Sequence, residues 1–128
     1  MMEPQVEFMN LFCDLVKDNL SIDVALDELP EAGGFYAEPG APIQSSAYYG
    51  KRSVWKVPVL ILAKSSDQEA GMDGLCKICN AIHKRTEYPS GESVAWLDAQ
   101  TVTPPNKIGR DEAGRYLFSG IINCSVYC

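Results

Sequence analysis

The chain has 128 residues, 46% of them apolar and 22% charged, and a formal net charge of −6. That length supports a single domain over residues 1–128 with a real core and no staples, and the acidic balance argues against a surface that grips nucleic acid by neutralising phosphates. The longest apolar run, Val57–Ala63, falls far short of the roughly 18 residues of a membrane helix. The opening Met1-Met2-Glu3-Pro4-Gln5 lacks the basic and apolar regions of a secretion signal, so a cytoplasmic location in the producing cell is expected.

Pro4 to Leu20 reads as the first helix. Proline suits a helix start, and Phe8, Leu11, Phe12, Leu15 and Val16 form one stripe. Ser21 to Leu26 alternates like a short strand. Residues 27–34 are turn-rich, Phe35 to Glu38 suit a short strand, and the Pro-Gly-Ala-Pro run at 39–42 punctuates the chain. Ile43 to Tyr49 and Arg52 to Lys64 then read as one hairpin around Gly50-Lys51. Pro58 cannot donate to a ladder, so a bulge or an unpaired position is expected there.

A second helix is expected over Asp67 to Lys84. Ser66 or Asp67 can cap it, and Glu69 places negative charge in its first turn. Met72, Leu75, Ile78, Cys79 and Ile82 recur at three- and four-residue steps, so the helix needs a sheet to lie on. Ser93 to Val102 reads as a strand, Thr103 to Gly114 as a long polar loop or hairpin tip, and Tyr116 to Cys128 as the last strand. In that strand Tyr116, Phe118, Gly120, Ile122, Cys124, Val126 and Cys128 share one face. The fold class is α+β: a mixed, mostly antiparallel sheet with two helices packed on one face.

Chemistry is scarce. Five cysteines without a secretion signal read as free thiols. Cys76-Lys77-Ile78-Cys79 sits mid-helix, where a redox pair would need an exposed helix start and zinc would need about four ligands. His83 is the sole histidine, suited as a cation to a helix C-terminus. No nucleophile–base pair, phosphate loop or cofactor motif is present, so no enzyme and no cofactor are expected. The long segments 30–42 and 103–114 carry apolar and charged side chains for which a solitary subunit has little use. Phe35, Tyr36, Lys107, Ile108 and Arg110 are therefore the expected assembly interface.

With these elements placed, the sequence resembles the minor capsid or tail terminator proteins of siphophages and related prophages. The resemblance rests on three places: the first helix leading into Ser21-Ile22-Asp23-Val24, the strand ending in Ala63-Lys64-Ser65-Ser66-Asp67-Gln68-Glu69-Ala70, and Gly114-Arg115-Tyr116-Leu117-Phe118-Ser119-Gly120 opening the last strand. It implies a virion protein made in the host cytoplasm. Six copies would form a ring that caps the tail tube, stops its polymerisation and joins the tail to the head connector. Partners implied are further copies of the chain, the tail tube protein and the head completion protein, with no membrane; DNA would pass through the lumen without specific binding. Six copies at −6 each give a ring of about −36, compatible with such a channel. A head-closure component of the same neck and a small cytosolic thiol protein are the alternatives.

Overall fold

The computed structural model describes residues 4–26, 33–47, 53–83, 87–91, 94–110, 112 and 114–127. In chain order the elements are α1 (Pro4–Leu20), β1 (Val24–Ala25), β2 (Gly34–Pro39), β3 (Ile43–Ala47), β4 (Ser53–Ser65), α2 (Gln68–Ile82), β5 (Ala95–Arg110) and β6 (Tyr116–Tyr127). The six-stranded sheet has the order β1-β2-β4-β6-β5, with β3 also on β4. Only β1 and β2 run parallel; every other pair is antiparallel. The expected α+β class and the helix layer hold.

Each helix has a physical beginning or end. α1 stops at Leu20 because Ser21 turns into the left-handed region at φ 57° and its N–H bonds the Lys17 carbonyl at 2.9 Å. The cap of α2 is Asp67, whose carboxylate accepts from the Glu69 and Ala70 amides at 3.0 and 3.4 Å. The stripes match the spacing: Phe8, Phe12, Leu15 and Val16 of α1 are buried, and so are Leu75, Ile78, Cys79 and Ile82 of α2. Leu11 and Met72 are half-buried at the margin, and Met9 joins the core.

These stripes lie on the alternate residues Val57, Val59, Ile61 and Ala63 of β4 and Phe118, Ile122, Cys124 and Val126 of β6. Trp96 of β5 ties in α1. Its ring meets Phe8 edge-on at 5.1 Å between centroids and stacks on Phe12 at 5.9 Å.

Two expectations need correction, and at Pro58 the second of the two expected alternatives, an unpaired position, is found. Thr103 to Arg110 is strand, not loop: β5 runs on past Pro104-Pro105 because its ladder with β6 absorbs extra residues in bulges. Pro58 causes no bulge against β6, where it pairs in step with Asn123. It lies where the other neighbour of β4 changes from β3 to β2, and its carbonyl accepts the Gly40 N–H at 2.6 Å. The missing N–H thus faces a gap between strands. The first strand shrinks to Val24–Ala25. The expected turn at Gly50-Lys51 lies outside the described residues.

Leu75 and Ile78 are fully buried, so Leu75→Ala and Ile78→Ala each cost ~2–5 kcal/mol in chemical denaturation. Gly71 tests a competition. Alanine there gains about 1 kcal/mol of helix propensity, yet its methyl would sit 2.7 Å from the Phe118 ring and 3.0 Å from Ser65 Cβ. Overpacking at ~1–3 kcal/mol wins: Gly71→Ala melts below wild type, the reverse of an exposed helix glycine.

Candidate assembly surface

With both helices on one side, the other side of the sheet carries no helix among the described residues. β4 and β6 are apolar on this side too. Leu60 pairs with Ile121, Leu62 with Ser119 and Lys64 with Leu117, all half-buried. Charge stays toward the margin, on Lys56, Glu38 and Asp98 and on Lys64 near the end of β4. A central patch poor in charge with a polar rim is interface-like.

The expected interface residues fall into two separate groups. Phe35 and Tyr36 belong to β2; Lys107, Ile108 and Arg110 belong to β5, with β4 and β6 in between. Phe35 packs partly into the core, and a methyl at Gly74 would lie 2.5 Å from its ring. It supports α2 more than it displays itself. Tyr36 points the other way, and its hydroxyl donates to Glu38 Oε2 at 3.0 Å. On β5, Lys107 Nζ lies 4.8 Å from the centre of the Tyr116 ring and donates to Gln68 Oε1 at 3.3 Å. The Arg110 guanidinium sits 4.4 Å from the same ring and donates to the Tyr116 hydroxyl. Ile108, between these two cations in sequence, is 55% exposed. Sequence reasoning missed Leu97 and Val102, which are as exposed as Ile108; their alternation looked like ordinary strand.

Cys79 and Cys124 are buried and Cys13 is half-buried. Burial, then Asp14, pushes Cys13 up to about 11. Burial, then Cys76, pushes Cys79 up to about 11, and burial, then Asp98, drives Cys124 strongly upward. Reactive thiols need the opposite shift. Among the described residues no cluster of metal-ligating side chains occurs, and no helix is long and apolar enough to cross a membrane. His83 does not act as the expected cation at the helix end. Its Nδ1 accepts the Thr101 N–H at 2.8 Å, tying the end of α2 to β5. An apolar recess of about 140 Å³ lined by Phe8, Pro39, Gly40, Pro42, Trp55, Val57 and Val126 lacks the converging polar groups of a substrate site.

A family model described as bacteriophage tail terminator protein matches residues 37–127. The chain belongs to that phage tail terminator family. Among curated proteins none matches the sequence significantly. Membership marks a virion component of structural type. The matched span runs from the end of β2 through β6, and so contains the bare sheet side and the whole of β5.

A raised thiol pKa stabilises the fold below the unfolded value, about 8.5, and that stability is lost as pH climbs toward the folded value. For Cys79 the window is about 8.5 up to about 11. Wild-type protein therefore loses stability across this range, and Cys79→Ala shows a shallower loss in denaturation series at stepped pH. The same variant keeps tail joining intact.

Proposed function

We propose that this tail terminator assembles as a ring, most simply of six copies, on the end of the finished tail tube. There it stops addition of tube subunits and presents the surface to which the head connector binds. The observation that carries this reading is the pair of distinct exposed apolar groups at opposite edges of one sheet within a tail terminator family member. A closed ring uses a heterologous contact, which needs two different surfaces on each copy. The bare sheet side is a third surface, available to the tube or the connector. The negative net charge suits a lumen that DNA crosses without sticking. The absence of a catalytic motif in the sequence agrees with a structural rather than an enzymatic role. The chain is made in the host cytoplasm and ends in the virion neck.

A nonsense allele of the gene, with electron microscopy of the lysate, tests the role: overlong tubes and unjoined heads are expected. Normal tail lengths and joined particles overturn it. Ile108→Asp and Tyr36→Ala give the residue-level version. Both melt close to wild type, because Ile108 is exposed and Tyr36 is only half-buried. Both fail to restore joined tails in complementation, since interface anchors typically lose ~2 kcal/mol or more on truncation.

A further inference from the structure

Among the described residues, six large hydrophobic side chains are exposed: Val6, Leu26, Ile43, Leu97, Val102 and Ile108. All but Val6 lie on the two opposite edges of the sheet. Leu97, Val102 and Ile108 are on β5; Leu26 follows β1 and Ile43 opens β3.

The β5 trio shares a second property. The β5–β6 register slips between Trp96 and Asp98, between Thr101 and Thr103, and between Lys107 and Gly109. Each of the three is the extra residue of a bulge. Bulges and prolines disable an edge for strand addition, and Pro104-Pro105 occupy another slip. The Thr101 N–H is already taken by His83. This edge is closed to backbone pairing but furnished with apolar side chains.

The opposite edge matches it level by level. Across the ladders, Ile43 is in line with Lys56, Ser125 and Asp98, beside Leu97. Pro39, whose outer side β1 leaves open, is in line with Val59, Ile122 and Thr101, beside Val102. Val24 is in line with Phe35, Ala63, Phe118 and Lys107, beside Ile108. Lys107 and Arg110 sit at the level where the other edge carries Asp23, which is exposed and pairs with Lys17 of its own copy at 3.4 Å.

We infer that the bulged β5 edge of one copy packs, side chain to side chain, against the β1–β3 edge of a second copy, setting Leu97 by Ile43 and Val102 by Pro39. The inference rests on the ring reading and names the surfaces that close the ring. It calls for no new strand pairing across the joint.

The test places the photo-cross-linker benzoylphenylalanine at position 97, 102 or 43, with position 80 on the exposed side of α2 as control. Labelled copies are co-expressed with wild-type chain so that mixed assemblies form, and tails are purified and irradiated. Adducts between copies joining 97 or 102 to the 39–43 segment, and 43 to 97–98, are expected. Exclusion of folded copies labelled at all three edge positions, while the control enters tails, also supports the contact. Adducts joining two β5 strands, adducts to tube or head protein alone, or labelled tails without adducts between copies overturn it. Cryo-electron microscopy of unlabelled tails judges the ring reading separately. A ring there without these adducts defeats the edge assignment alone; no ring defeats the proposed function.

Discussion

The structure depends on the ladder between β4 and β6. It runs from Val54–Tyr127 to Ser65–Tyr116 without a shift in register. Side chains in a strand alternate with period two, so one slip here would move every apolar residue to the wrong side. Holding Val57, Val59, Ile61 and Ala63 level with Phe118, Ile122, Cys124 and Val126 makes one continuous floor for α2. Gly120 faces Ile61 in that ladder, and a methyl on it would lie 3.6 Å from the Cys79 sulfur. That contact is an ordinary one; it is Gly71, where a methyl would lie 2.7 Å from the Phe118 ring, that sets how closely helix and sheet approach.

Irregularity is pushed outward from this ladder. β2 and β3 share one flank of β4, and the handover between them lies at Pro58, where a missing donor does least harm. β5 holds the other flank but slips at four places. Its hold on the core comes from side chains: Trp96 within the aromatic group of Phe8, Phe12 and Tyr88, and Thr101 through His83. An edge tied this way can bulge without loosening the centre.

The helices and the buried face of β6 were legible in the sequence because each has an unbroken period. Phe8, Phe12, Leu15 and Val16 need no knowledge of tertiary structure to be read as one stripe. β5 was not legible past Val102, because each bulge resets the alternation and Pro104-Pro105 reads as loop. Ile108 and Arg110 could be singled out as apolar and charged groups in a polar segment. The direction of Phe35 could not: in a six-residue strand it depends on a register that only pairing with β4 supplies. His83 was misread for a related reason, since its partner Thr101 lies 18 residues away on another element.

The bulged edge also bears on why assembly would stop at a ring. An unpaired regular strand offers a repeating row of donors and acceptors, and what it templates is an open, growing sheet. A contact made by a few projecting side chains has one angle and one level. Repeated head to tail, such a contact closes when its rotation divides a full turn and otherwise winds into a filament. On this reading, the bulges that cost β5 its regular ladder remove the route to open growth. Leu97, Val102 and Ile108 then supply the attraction that backbone pairing would have given, in a form whose extent is limited by geometry.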